Sequence, residues 1–180
     1  MPSPQQQTRT WLTDFVIKLN LCPFASKVLD EDSVRIAVCS SANQQEMVQQ
    51  VLAELDLLVQ SDEKNLSTSL LVFDQALADF YDYLDFADWA HDLLLEAGLE
   101  GVVQIATFHP QYLFAGVAED DVSHYSNRSP YPMLHFIREQ QLTEAIAFHP
   151  DPEGIPDVNI KHLQSLGLAK VLSLLHKTTQ

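Results

Sequence analysis

Arg128 and Arg138 are the only cationic side chains between Asn65 and Ile160, a span that carries sixteen Asp and Glu. Arg128 lies in HYSNRSPYPMLH (124–135), among Asn127, Ser129, Tyr131 and His135. A guanidinium presents a planar fork of donors that matches a carboxylate or phosphate, and histidine is the side chain that titrates near neutral pH without perturbation. These residue types suit an enzyme acting on a small anionic metabolite. Arg128, helped by Arg138, would hold the anion, and His109 or His135 would be the general acid or base. Gln111, Asn127 and Tyr131 would orient the substrate. Pro132 fits the first position of a helix, whose free amides would add to an anion site. On that helix Arg138, three residues beyond His135, would share its face. Either arginine can instead answer local acids such as Asp120, Asp121 or Glu139.

Two further segments carry candidate chemistry. FHPQYLFAG (108–116) runs on from an expected strand, and ligands of α/β sheets bind beyond the carboxyl ends of strands. NLCPFA (20–25) offers Cys22 as a nucleophile or ligand, although the end of a preceding helix would disfavour its thiolate. A metal-binding protein or metalloenzyme using Cys22, His109 and His135 is therefore an alternative, since these residue types suit zinc. The chain has no HxH, HExxH or CxxC to assemble them. His124 and His149 read as surface or loop histidines. No glycine-rich phosphate loop or GxSxG elbow is present. A third reading is a non-catalytic interaction module, in which DFYDYLDFADWAHDLLLEAG (79–98) meets a basic partner. The same stretch also reads as a plain amphipathic helix, with Phe80, Leu84, Ala87 and Leu94 facing a core.

The elements that must position these residues follow from periodicity. TRTWLTDFVIKLN spaces Trp11, Leu12, Phe15, Val16 and Leu19 as a helix that stops near Leu21, before Pro23. VRIAVCS (34–40), SLLVFD (69–74) and GVVQIATFH (101–109) read as strands. Between them lie a helix opened by Ser41 in a capping box with Gln44 and a helical region, 76–97, with a possible break near Leu84. Residues 110–131 form a long loop of the kind that is functional or mobile. Helices near 132–147 and 158–176 follow. The β-α-β-α-β order predicts an α/β layered single domain over 1–180, with a small parallel sheet and flanking helices. A ferredoxin-like α+β sheet is the alternative.

A formal charge of −15 on 180 residues repels phosphate backbones and anionic headgroups, which argues against nucleic-acid or membrane partners. Two cysteines, no signal-like leader and no membrane-length apolar run predict a reducing, cytoplasmic setting. Composition names no cofactor.

In order and separation, NLCPFA, FHPQYLFAG and NRSPYPMLH resemble the bacterial family grouped as domain of unknown function 1415. TRTWL and NIKHLQSLG (159–167) resemble it too, so the likeness covers nearly the whole chain. It implies one complete domain and brings no activity, cofactor or catalytic residue with it.

Overall fold

A computed structural model describes residues 2–147 and 149–178. Among the described residues four strands form one sheet in the order β1-β2-β4-β3. They are β1 (Val34–Cys39), β2 (Thr68–Phe73), β3 (Val103–Phe108) and β4 (Met133–Arg138). β1 pairs parallel with β2, and β4 lies antiparallel between β2 and β3. β1, β2 and β3 therefore share one direction, as the β-α-β-α-β order predicts. The fold is mixed α/β because β4 enters against them. The parallel neighbours β1 and β2 set it apart from the ferredoxin-like alternative.

β4 replaces the first part of the helix expected from 132. A strand buried on both faces loses its polar alternation, so MLHFIR shows no period of two to read. Leu134 and Phe136 enter one core, whereas Met133 enters the other. Pro132 precedes the strand, where its missing N–H costs nothing, and its carbonyl accepts the Phe73 amide at 2.9 Å. Helix α5 (Glu139–Ala147) begins only after Arg138.

Helices cover both faces. α3 (Gln44–Gln60) and α4 (Phe80–Glu96) build one core with Ala37, Leu71, Phe73, Leu134 and Phe136. On the other face lies α1 (Pro4–Trp11), which runs on as a π-helical segment over Leu12–Ile17. It joins α6 (Ile155–Leu166) and α7 (Leu168–Thr178) over Leu70, Val72 and Met133. A short helix, α2 (Ala25–Asp30), leads into β1.

Several boundaries move for local reasons. Asn20, in the left-handed region at φ 52°, ends the first helix before Pro23 requires it. Asn43 caps α3 in place of Ser41: its side chain accepts the Glu46 amide at 3.2 Å, and the Ser41 hydroxyl accepts the Asn43 amide. The Asp79 carboxylate caps α4, which continues unbroken past Leu84. Gly167, at φ 75°, splits the expected last helix into α6 and α7.

Arg138 ends β4 by closing the end of α3. Its terminal amino group donates to the carbonyls of Leu58 (2.5 Å), Ser61 (2.8 Å) and Leu66 (3.0 Å), and its Nε–H donates to Leu66 at 3.2 Å. A cation on the last carbonyls of a helix also meets the negative end of its dipole. Replacing Arg138 with alanine should lower unfolding stability by about 2–4 kcal/mol in urea titration, because several carbonyls lose a charged donor. Lysine should recover only part of this. Unchanged stability in Arg138→Ala would contradict the capping role.

Candidate functional site

The shared direction of β1, β2 and β3 places Cys39, Phe73 and Phe108 on one edge of the sheet, beside the start of β4. His109 follows β3 directly and is fully buried. Its Nδ1 accepts the Gln111 amide at 3.0 Å, so in the neutral ring Nε2 carries the proton and donates it to the Leu77 carbonyl at 3.0 Å. Phe80 and Tyr83 pack on the ring, with centroids 5.3 and 5.0 Å away. Burial pushes its pKa down. Leu77 itself sits at φ 60°, a conformation costly for a side chain with a Cβ, and the His109 bond holds its carbonyl there.

The loop beyond is tied back on this histidine. The His109 amide donates to the Asn127 carbonyl at 3.2 Å, and the Tyr112 amide to the His109 carbonyl at 3.1 Å. Asn127 donates from its side chain to the Thr107 carbonyl at 3.1 Å and accepts from Ser126. Tyr83 makes room for this. Its hydroxyl accepts the Phe108 amide at 3.0 Å and donates to the Met133 carbonyl at 2.8 Å, between two residues that are ladder partners. A second histidine repeats the pattern further along. His124, fully buried in the 3-10 turn Val122–Ser126, accepts the Phe114 amide on Nδ1 at 3.0 Å and reaches the Ala118 carbonyl through Nε2 at 2.8 Å. It is structural rather than a surface histidine.

Arg128 stands on this knot. Its carbonyl accepts the Trp11 indole N–H and its Nε–H donates to the Tyr112 carbonyl, both at 3.2 Å. The guanidinium carbon lies 4.3 Å from the centroid of Tyr125, within cation–π range. The side chain is partly exposed. Among the described residues no carboxylate forms an ion pair with it, so it does not answer the local acids.

Some of the residues expected at a site are neighbours in the fold and others are not. His109, Asn127 and Arg128 converge, and Tyr112 joins them, while the Gln111 side chain is exposed. Tyr131 turns to the α1 side, where its hydroxyl donates to Gln7. It lies close enough to Asp74 for that acid, after burial, to raise its pKa. The helix N-terminus expected at Pro132 is replaced by the start of β4, so its amides do not add to an anion site. Arg138 is at the far end of β4, about 17 Å from Met133 at the usual rise per strand residue. Three residues apart on a strand, it and His135 point to opposite faces.

His135 lies on the α1 side of the sheet, where its Nε2–H donates to the Thr68 hydroxyl at 2.6 Å and that hydroxyl donates to the Phe136 carbonyl at 2.7 Å. Burial pushes its pKa down to about 4. Cys22 belongs to a segment held by α6, where the Asn159 side chain donates to the Leu21 carbonyl at 2.7 Å. Burial raises its thiol pKa, which disfavours a nucleophilic thiolate. Among the described residues no three or more His, Cys, Asp and Glu are placed to hold a metal ion. Cys22, His109 and His135 are not brought together as ligands, and both nitrogens of His109 are already engaged.

The family model described as a protein of unknown function (DUF1415) matches residues 3–173. The chain belongs to this family. No curated protein and no solved structure matches it. The three segments that carry the family likeness now have places: the second and third form the His109–Arg128 knot, and NLCPFA joins α6 to the opposite core.

His135 makes stability depend on pH in a defined direction. Folding favours its neutral form, so its contribution is complete above the unfolded pKa near 6.5 and is lost as pH falls towards about 4. Across that window it should remove up to about 3 kcal/mol. His135→Gln, which keeps a donor for Thr68 and does not titrate, should flatten this share of the curve in urea titrations at pH 7 and pH 4.5. Identical pH dependence in the variant and the parent would contradict the assignment.

Proposed function

We propose that the protein binds a small anionic metabolite, a carboxylate or a phosphate, at Arg128. One observation carries this reading. In a chain of formal charge −15, a partly exposed guanidinium is oriented by Tyr125 and the Tyr112 carbonyl and is paired with no carboxylate among the described residues. One N–H of the fork is spent on orientation, which leaves the two terminal amino groups to meet a ligand. The position agrees with the habit of α/β sheets, whose ligands gather beyond the carboxyl ends of strands.

Acid–base chemistry by His109 finds less support. Its two nitrogens serve Gln111 and Leu77, so it acts as a positioning residue that fixes the loop on which Arg128 stands. Binding is accordingly the better-supported function, ahead of histidine-dependent catalysis. The net charge favours small ligands over nucleic acid. A reducing, cytoplasmic setting fits two cysteines that are both free thiols, and among the described residues no helix is long and apolar enough to cross a membrane.

Titration calorimetry with phosphate, pyrophosphate and a series of di- and tricarboxylates tests the proposal. At least one anion should bind, and Arg128→Gln should weaken it roughly 10- to 100-fold, the value of a charged hydrogen bond. Arg128→Lys should restore only part, since an ammonium lacks the planar fork. Arg138→Ala should leave the affinity unchanged once protein stability is allowed for. Binding indifferent to Arg128→Gln would overturn the assignment.

A further inference from the structure

The opposite margin of the sheet carries a different surface. β1 is an edge strand. The Ser33 carbonyl accepts the amides of Ser67 and Thr68 and so faces β2. Backbone direction alternates along a strand, so the N–H and C=O groups of Val34, Ile36 and Val38 face away from β2, along the free edge. Two open grooves flank that edge, one on each face of the sheet, and both are lined by Val34 and Ile36. The groove on the α3 side, about 450 Å³, adds Arg35, Leu57, Asn65 and Leu66. The groove on the α1 side, about 250 Å³, adds Gln5, Gln6 and Arg9.

We infer that the β1 edge receives an extended, cationic segment of a partner protein as an added strand. Side chains of an added strand alternate between the two faces of a sheet, and a groove waits on each face beside the same two residues. Two devices that blunt an edge, a proline and an outward-standing charge, do not act at β1. β1 has no proline, and its one charged residue, Arg35, is folded onto the buried Glu54 at 3.0 Å. Charge selects the partner. Arg9 is neutralised by Asp32 at 2.7 Å and Arg35 by Glu54, while Asp30 and Glu31 outnumber Lys27 among the exposed charges at the entrance to the strand. The field at the edge is therefore that of a chain carrying −15, which attracts a basic segment and repels a second copy of itself.

The test uses the blocked peptide KVKVKV, followed through amide shifts in NMR spectra of the whole protein, with EVEVEV as the charge control. KVKVKV should move the amides of residues 33–39, and EVEVEV should not. Ile36→Pro removes an outward N–H and leaves the bonds to β2 in place, so it should weaken KVKVKV at least tenfold in a protein whose other amide shifts are retained. Gln5→Lys, an exposed change at the groove that spares the strand, should weaken it threefold or more and serves if Ile36→Pro does not fold. Absence of KVKVKV binding, binding elsewhere, or binding unaffected by these variants would overturn the inference. So would sedimentation showing that the edge pairs with a second copy of the chain.

Discussion

The candidate site depends on one buried imidazole. His109 can satisfy both the Gln111 amide and the Leu77 carbonyl only as a neutral ring protonated on Nε2. A buried donor or acceptor left without its partner costs about 1–3 kcal/mol, so the ring fixes two loops at once. One is the turn between β2 and α4, where Leu77 is held at a positive φ. The other begins the 109–131 segment, whose path then returns through Asn127 to lie beside β3. Arg128 takes its place from that return.

The sheet itself is shaped to admit the loop. With Tyr83 between the Phe108 amide and the Met133 carbonyl, the last rung of the β3–β4 ladder runs through a phenol. Burial raises the pKa of that phenol, so it keeps the proton it needs to donate. At the other end of β4, Arg138 ties the strand to the last turn of α3. A central strand that looks weak in sequence is thus pinned at both ends by side-chain donors to backbone carbonyls, one from α4 and one of its own.

Much of this was legible in the sequence, and the exceptions have physical causes. β1, β2 and β3 announce themselves through β-branched and apolar runs, and α3 and α4 through helical spacing. Phe80, Ala87 and Leu94 are buried as that spacing requires, with Leu84 packed at the edge of the same core. β4 was hidden because both of its faces are covered and Pro132 mimics a helix start. The difference moves Arg138, since a helix would put it beside His135 and a strand puts it on the opposite face of the sheet. The convergence of FHPQYLFAG with NRSPYPMLH could be expected as a requirement of the site. What joins them could not, because the bonds are largely made by backbone groups, which no residue type advertises. His124 gives no signal in sequence for a similar reason: its partners are the backbone of Phe114 and Ala118, and only the folded loop shows them.

His109 serves as a fixed donor and acceptor, with both ring nitrogens bonded to backbone groups beneath Arg128. Nitrogen NMR of the imidazole in protein labelled with ¹⁵N histidine reads this directly. A fixed ring has a protonated Nε2, an unprotonated Nδ1 that accepts a hydrogen bond, and a titration midpoint below that of a free histidine while the fold is intact. A ring protonated on Nδ1 at neutral pH, or one that titrates near pH 6.5 in the folded protein, would contradict it and return His109 to the list of acid–base groups.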